Sequence, residues 1–369
     1  MVSRELTGLI PSVYINSAAE MAAVNQDITY DVVPTMSSES ITPAAVPPTL
    51  GDTTTGYGTM KLTKSKAVRF YWTGEDERAL GSKRSAIENN KFAQAFRTLA
   101  NEVEADLAAL YVNASRAYGT AAQAPFGTAG DFTDAANVVK ILKDNGAPIS
   151  DLQLVINTAA GVNLIGKQAR ADIIGSNVGM LQQQGILLQI AGCKIRESAQ
   201  IKLHTKGDAA GLLTDNGGGY AIGATTIHVD TGTNEVVAGD IISFADESPA
   251  SKYVVKTGYD AGAGAVEGDL VIQDPGLRAA VGDSKALTLT ANYTANLAFD
   301  RSAIHLLARL PKTPEGGDAA DDEMIMIDPV SGLPFRIALY RGYMANQIAI
   351  QLAWGVKAVK PEHIAILIG

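Results

Sequence analysis

Two predicted strands and a proline-rich tip between them occupy residues 27–72. Apolar side chains alternate with polar ones along both strands, which is the pattern of half-buried β-structure. The tip carries Pro34, Pro43, Pro47 and Pro48 among many serines and threonines, so we expect it to be extended and poor in backbone donors. A strand of about a dozen residues spans roughly 40 Å. Because the segment has too few apolar residues for a core of its own, it must pack on other structure, which favours assembly over catalysis.

The second predicted strand carries four basic residues, Lys61, Lys64, Lys66 and Arg69. They form either a solvated face or an electrostatic contact with an acidic neighbour, and the sequence leaves both interpretations open. We treat them as candidate subunit contacts. The aromatic run at residues 70–72 would suit base stacking in a basic groove, but the negative charge of the chain disfavours binding of single-stranded nucleic acid.

A long amphipathic helix follows the second strand. Ser85 and Glu88 have the spacing of a capping box, in which each side chain bonds the other residue's backbone amide, so we expect the helix to begin at Ser85. Apolar residues then recur at steps of three and four as far as Ala114. About 30 residues at 1.5 Å each make a rod of roughly 45 Å, which is longer than one core-sized domain requires.

The rest of the chain alternates helical and strand patterns, which predicts an α+β fold. We expect further helices at residues 17–26, 134–145, 159–168 and 300–308, and further strands at residues 152–156, 335–340 and 347–359. Nothing before residue 17 supplies a partner face for the first of these helices. Residues 1–26 are therefore expected to form an N-terminal arm.

Glycine becomes frequent between residues 211 and 293, where short β runs alternate with turn residues. The runs are residues 226–229, 241–244, 253–256, 270–272 and 286–290. Such spacing is typical of a small barrel or sandwich. From Leu213 to Tyr293 there are eleven acidic and four basic residues, a net charge of −7 out of −9 for the whole chain. Because the helix-and-strand pattern resumes at Asn296, we interpret residues 213–295 as an acidic insertion.

The sequence contains no recognisable catalytic or metal-binding pattern. A net charge of −9 argues against binding to a nucleic-acid backbone, which requires clustered lysine and arginine. Cys193 is the single cysteine, and the four histidines match no zinc-binding spacing. The carboxylates at residues 318–323 are expected to lie in a solvated loop. We predict a non-enzymatic protein without cofactor or metal and, from the lack of a signal peptide or membrane-spanning run, a soluble one.

Several stretches, taken in their order, resemble the major capsid proteins of tailed bacteriophages. Residues 146–148 followed by residues 152–156 resemble the turn into the first strand of that family's axial domain, and residues 190–198 resemble the strand after its helix. The segments at residues 296–311, 332–336 and 354–362 are similar to the C-terminal signature of the podovirus coat-protein family. That family also carries an inserted β-barrel at the place of the acidic insertion.

The resemblance implies a tailed-phage major capsid fold with an inserted small β-barrel. Its parts are an N-terminal arm (1–26), an extended two-stranded loop (27–84), a spine helix with the peripheral domain (85–130), the first part of an axial domain (131–212), the inserted barrel (213–295) and the completion of the axial and peripheral domains (296–369). In such a fold the spine helix and peripheral domain link subunits, and the extended loop overlaps a neighbour.

The implied function is that of a structural subunit in an icosahedral virion shell of hexamers and pentamers, which encloses double-stranded DNA without sequence-specific contacts. The implied partners are a scaffolding protein and a portal protein, with assembly in the host cytoplasm and no membrane. We expect Asp246, Glu247 and Lys252 to lie in a projecting loop that pairs across a two-fold axis. Two alternatives stay open: an encapsulin-like nanocompartment shell, and a β-rich adhesive or glycan-binding protein.

Overall fold

The computed structural model describes residues 7–32, 43, 56–128, 132–168, 189–232, 235–247, 251–259, 267–329 and 331–369. Within these residues the α-helices are α1 (Gly74–Leu80), α2 (Arg84–Ala108), α3 (Thr133–Asp144) and α4 (Thr158–Gln168). The strands are β1 (Tyr14–Ala22), β2 (Asp27–Val32), β3 (Gly56–Lys61), β4 (Lys64–Thr73), β5 (Arg116–Gly119), β6 (Leu152–Ile156), β7 (Cys193–Glu197), β8 (Leu203–His204), β9 (Leu213–Thr214), β10 (Thr226–Asp230), β11 (Ile241–Phe244), β12 (Lys252–Thr257), β13 (Gly268–Ile272), β14 (Leu287–Leu289), β15 (Tyr293–Asp300), β16 (Ile304–Pro311), β17 (Asp322–Ile327), β18 (Pro334–Gly342), β19 (Ala345–Ala358) and β20 (Ile364–Ile368).

One sheet is built around β19, a strand of 14 residues. β4 pairs along one edge of β19, while β18 and then β16 pair along the other. β1 joins β16 in parallel, and β17 pairs with the outer side of β18. Among the described residues, β1, β4 and β17 therefore each have one edge without a strand partner.

Helix α2 packs on this sheet through the apolar stripe that the sequence predicts. Leu99, Val103 and Leu107 are buried in one hydrophobic cluster with Leu306 and Trp354 of the sheet. The helix has 25 residues, which correspond to about 38 Å. A 3-10 turn at Ala109–Asn113 continues it towards the predicted end.

The predicted start of the long helix at Ser85 is within one residue of the start of α2 at Arg84, but the predicted capping box is wrong. The capping box lies instead at Thr73 and Asp76, where it begins α1. A 3-10 turn at Gly81–Lys83 then leads directly into α2, and Lys83 occupies the N-cap position without a side-chain cap. Because Ser85 lies inside α2, it does not occupy the N-cap position that a capping box with Glu88 requires.

A second sheet contains β7, β6, β15, β20 and β5 in that order. Helices α3 and α4 cover one face, where Val138, Leu142 and Leu164 are buried with residues of β6 and β20. Side chains on the other face lie in the hydrophobic cluster that contains Leu99, Val103 and Leu107 of α2. Because β20 is covered on both faces, its five residues are all apolar and all buried.

Two predicted helices are strands in the structure. Residues 17–26 fall largely within β1, and residues 300–308 form a 3-10 turn at Arg301–Ala303 followed by β16. The two strands pair with each other in parallel, with Tyr14 opposite His305. Pairing within the sheet satisfies the backbone hydrogen bonds of both segments. It therefore outweighs the helix propensity of their alanines and leucines.

The acidic insertion contains the five predicted β runs, as β10 to β14. It has a hydrophobic cluster of its own, in which Ile227, Phe244, Tyr253 and Leu270 are buried. The strands pair in the order β9, β10, β13, β12, β11, β14. β12 also pairs with β5, which joins the insertion to the second sheet.

A buried polar network attaches the insertion to the end of the long helix. The hydroxyl oxygen of Tyr111 lies 2.7 Å from Nδ1 of His204, and Nε2 of His204 lies 2.9 Å from Oδ1 of Asp240. The backbone N–H groups of Gly207 and Val237 also donate to the Asp240 carboxylate. The turn at residues 237–240, which leads into β11, is thus held to the body of the protein.

Candidate assembly surfaces

The two-stranded hairpin is formed by β2 and β3, which pair from Asp27 opposite Lys61 to Val32 opposite Gly56. Six paired residues extend about 20 Å. The second strand does not run on from β3 to Trp72 as predicted, because the chain turns at residues 62–63 and β4 joins the sheet beside β19. The predicted tip at residues 33–55 lies outside the described residues, apart from Pro43, which is exposed.

The base of the hairpin packs on its own subunit. Met60, Leu62, Leu307 and Ala353 form a small buried cluster with Ala22. Tyr57, near the far end, is 73% exposed. The hairpin is therefore anchored at its base and presents its far end to the surroundings.

His305 of β16 packs against β1 at Tyr14 and against the hairpin at Tyr30. Its ring lies 4.7 Å from the ring of Tyr14 and 5.5 Å from that of Tyr30, measured between centroids. Burial lowers the pKa of His305, and a backbone hydrogen bond at Ser302 offsets this only in part. The neutral imidazole is thus the form that suits the folded protein.

Acidification is expected to weaken the fold through His305. Because the folded-state pKa of His305 lies below the unfolded value, its contribution is complete above about pH 7 and is lost as the pH falls through the unfolded pKa. His363, whose pKa burial also lowers, acts in the same direction, while the exposed His228, whose pKa a hydrogen bond to Asp269 raises, opposes them weakly. Urea midpoints between pH 7.5 and pH 5 measure the effect. His305→Gln is expected to flatten the dependence, and an unchanged slope in this variant would contradict the assignment.

The four basic residues of the hairpin and β4 have different surroundings. Lys64 forms an ion pair of 2.6 Å with Asp106, and Lys66 pairs with Glu102, both on α2. The acidic neighbour that the sequence suggested for these two lysines is therefore the subunit's own helix.

The other two basic residues lie closer to solvent. Lys61 is 3.8 Å from Asp27 across the hairpin, and Arg69 is exposed. A role of the four residues between subunits stays a prediction.

Asp106 joins three elements at the base of the hairpin. Its Oδ1 accepts from Lys64 of β4, and its Oδ2 accepts a hydrogen bond of 2.8 Å from Nε1 of Trp354 in β19. Trp354 is fully buried. The carboxylate therefore satisfies an indole N–H that has no access to water.

Asp106→Ala is expected to lower the free energy of unfolding by about 2 kcal/mol, because it leaves the buried indole donor of Trp354 unpaired. Urea unfolding followed by tryptophan fluorescence measures the loss. Glu102→Ala is the matched control, since Glu102 lies one turn earlier on α2 and pairs with the exposed Lys66. We expect it to cost below about 1 kcal/mol, as exposed ion pairs do. Equal losses in the two variants would contradict the role given to Trp354.

The three predicted contact residues of the insertion, Asp246, Glu247 and Lys252, have different surroundings in the subunit. Glu247 is buried, and its Oε1 accepts a hydrogen bond of 2.8 Å from the hydroxyl of Tyr253. Lys252 donates to the backbone oxygen of Gly119, and burial lowers its pKa. Asp246 lies 3.4 Å from Lys285. Glu247 and Lys252 are engaged inside the subunit, whereas Asp246 is exposed. A role of the three residues between subunits stays a prediction.

The edge strand β17 is the most exposed apolar strand among the described residues. Met324, Ile325 and Ile327 are 56%, 48% and 58% exposed. Only β18 pairs with this strand in the described part of the chain. A long apolar edge with unpaired backbone groups is a template for pairing with another chain.

The loop before β17 is not simply solvated. Arg336 is buried and lies 3.1 Å from Asp318 and 2.7 Å from Glu323. It also donates to Oε1 of Gln351 on β19. The two carboxylates therefore hold β17 in place against the sheet, which the sequence did not predict.

Sequence reasoning also missed Glu104 of α2. Glu104 is fully buried, and its carboxylate accepts from the backbone N–H groups of Gly8 at 2.6 Å, Leu9 at 2.7 Å and Ile10 at 2.9 Å. A signal was present, because Glu104 lies four residues from both Ala100 and Ala108 on one side of the apolar stripe. A carboxylate at such a position indicates a buried polar partner.

In the described part of the chain, no three His, Cys, Asp or Glu side chains are grouped to hold a metal ion. None of the described helices combines the length and apolar character needed to cross a bilayer.

No protein-family model matches the sequence, and no curated protein matches it. Solved structures do. The chain is similar to the capsid structure of the cyanophage P-SCSP1u, with 11% sequence identity and a TM-score of 0.50 over 100% of this chain and 90% of that chain. It is also similar to the mature capsid of bacteriophage PhiM1, with 8% identity and a TM-score of 0.47 over 100% of this chain and 89% of that chain. The cyanophage likeness confirms the predicted tailed-phage capsid fold.

Proposed function

We propose that this chain is a structural subunit that assembles with copies of itself into the icosahedral capsid of a tailed bacteriophage. The observation that carries the proposal is the capsid fold along the full length of the chain. Two surface features support it: a hairpin anchored at its base with an exposed far end, and an apolar edge strand without a partner among the described residues. Both are features that a shell covers by contacts between subunits.

The proposed particle encloses DNA without reading its sequence. A chain with a net charge of −9 has little attraction for phosphate, so the packaged genome is retained by enclosure. A scaffolding protein, a portal protein and assembly in the host cytoplasm belong to the same proposal. They rest on the family resemblance of the sequence.

We also propose that the insertion closes as a small barrel. Its strands pair in the order β9, β10, β13, β12, β11, β14. The N–H of Thr214 donates to the oxygen of Lys285, and the N–H of Leu287 donates to the oxygen of Leu212, both at 3.0 Å. These bonds link the first strand of the series to the last, which supports closure.

Expression of the chain with and without a candidate scaffolding protein tests the proposed function. We expect negative-stain microscopy to show closed particles of uniform diameter, and sedimentation to show the corresponding large species. A chain that stays monomeric under every condition, with the hairpin protected from proteolysis, would contradict the proposal. Binding of glycans by the purified chain would instead favour the adhesive alternative.

A further inference from the structure

A cleft lies at the junction between the second sheet and the insertion, where β5 pairs with β12. It is bordered by β5, by helix α3, by the loop at residues 119–128 and by the start of β12. Its volume of about 790 Å³ is within the range of small-molecule sites. The loop holds two non-glycine residues in the left-handed region, Ala122 at φ 61° and Phe126 at φ 62°. The cleft therefore has the size of a ligand site and a strained wall, a feature that is concentrated at such sites.

Arg116 of β5 brings a buried positive charge to the cleft. Its side chain lines the cleft, although the residue is 7% exposed. Nη2 donates to Oδ1 of Asn145 at 3.1 Å and to the oxygen of Ile141 at 3.5 Å, while Nε is buried without a hydrogen-bond partner among the described residues. The carboxylate of Asp144 lies 3.9 Å from Nη2, which is too far for a hydrogen bond. The guanidinium is thus incompletely paired, although buried charges are normally paired.

The electrostatic surroundings of Arg116 favour an added anion. Burial lowers the pKa of Arg116, and the charge of Arg278 lowers it further. Asp144, Tyr253 and Glu247 act in the opposite direction, but they do not cancel the effect of burial. A negative group placed beside this guanidinium would favour its charged form.

Lys252 supplies a second cation from the side of the insertion. Its ammonium group donates to the backbone oxygen of Gly119, and no carboxylate of the described residues forms an ion pair with it. Burial lowers the pKa of Lys252. Lys140 of α3 also lines the cleft, with a side chain that is 72% exposed. Three cations therefore face one cavity.

The two acidic residues that line the cleft are already engaged. Asp134 accepts a hydrogen bond of 2.7 Å from the N–H of Phe126, and Asp144 lies between Lys140 at 4.0 Å and Arg116 at 3.9 Å. The charge of the lining is positive by one unit. The other polar side chains of the lining are neutral and include Thr120, Gln123, Asn137, Asn163 and Ser251.

We propose that this cleft binds a small organic polyanion, either a di- or tricarboxylate or a phosphorylated small molecule, whose acidic groups pair with Arg116 and Lys252. A guanidinium binds carboxylate and phosphate in the same bidentate geometry, so both chemistries suit Arg116. Arg116 and Lys252 lie on β5 and β12, which pair at two residues each. A bound ligand therefore adds a link between the second sheet and the insertion. The inference is independent of the proposed function.

Calorimetric titration of the purified chain tests the site. The probes are citrate and glucose 6-phosphate, and sodium chloride at equal ionic strength is the control. We expect saturable binding of at least one probe with a dissociation constant below about 1 mM, and no saturable signal from sodium chloride. Citrate alone would assign the site to carboxylates, and glucose 6-phosphate alone would assign it to phosphates. Failure of both probes to saturate at about 10 mM would overturn the proposal.

Lys252→Gln is the decisive variant, because glutamine keeps an N–H donor for Gly119 and removes the charge. We expect it to weaken binding about fivefold, as the loss of a partly exposed charge pair does. Arg116→Lys keeps the charge and removes the guanidinium fork, and we expect about tenfold weaker binding. Lys285→Gln is the matched control, since Lys285 pairs with Asp246 outside the cleft, and it is expected to leave the affinity unchanged.

Amide hydrogen exchange locates the bound probe. We expect slower exchange at residues 119–128 in the presence of the probe, and no such change in Lys252→Gln at the same probe concentration. Urea unfolding verifies that each variant is folded, and Lys252→Gln decides the outcome where Arg116→Lys is not. Equal affinity of the parent and Lys252→Gln, or equal weakening by Lys285→Gln, would overturn the proposal.

Discussion

Glu104→Gln is expected to lower the free energy of unfolding by about 3 kcal/mol. The Glu104 carboxylate is buried and accepts three backbone hydrogen bonds from residues 8–10. Glutamine keeps the shape of the side chain but has only one acceptor oxygen. Its NH2 group would face a backbone N–H of residues 8–10, which is also a donor. Hydrogen bonds to charged groups contribute about 1.5–3 kcal/mol each, and a buried donor left unpaired costs about as much. The loss is therefore large although the side chain keeps its volume.

Two measurements check this expectation. Urea unfolding gives the global loss, and amide hydrogen exchange at Gly8, Leu9 and Ile10 gives the local one, which we expect to reach about a hundredfold lower protection. Glu88→Gln is the matched control, because it makes the same chemical change on the same helix but away from the N-terminal segment. Unchanged exchange at residues 8–10 in Glu104→Gln would contradict the role of this carboxylate.

Glu104 also changes the interpretation of the N-terminal residues. The sequence predicted an arm over residues 1–26, because no partner face was evident before residue 17. In the structure Leu9 and Ile10 are fully buried, and β1 pairs with β16. The part of the arm that the structure describes is held by the long helix and the sheet of its own subunit.

The sequence predicted best the elements whose pattern is local. The apolar stripe of α2 and the five β runs of the insertion each follow from periodicity within one segment, and both are present. The capsid fold itself was identified from the order of short resemblances along the chain. No single element of that set would have sufficed.

Features that depend on distant partners were not predictable from periodicity. β1 and β16 are strands because they pair with each other across almost 300 residues of sequence, which their alanine and leucine content does not indicate. The three N–H groups that Glu104 binds lie more than 90 residues away. For the lysines of β4 the sequence left open a solvated face or an acidic neighbour, and the structure shows that Lys64 and Lys66 pair with acidic residues of α2 in the same chain.

The edge strand β17 gives the largest expected effect on assembly. Ile325→Lys combined with Ile327→Lys places two charges on one exposed face of this strand. Both side chains are already exposed in the subunit, so we expect the free energy of unfolding to change by less than about 0.5 kcal/mol for each. Covering such a side chain with a neighbour stabilises a contact by about 1.5–3 kcal/mol, and a buried lysine removes that gain. Each contact weakens more than a hundredfold, because about 1.4 kcal/mol corresponds to a factor of ten.

Since every subunit of a closed shell repeats the same contact, that weakening is multiplied over the particle, and we expect no closed shells from a subunit that is otherwise folded. Sedimentation and negative-stain microscopy measure particle yield, and circular dichroism with urea unfolding verifies the fold. The matched control is Ile149→Lys combined with Ile222→Lys, two isoleucines outside this sheet that are 67% and 69% exposed. Shells at parental yield from the β17 variant would show that its edge stays open in the particle, whereas loss of shells in both variants would trace the effect to added positive charge. Loss in the β17 variant alone identifies this strand as a surface that assembly covers.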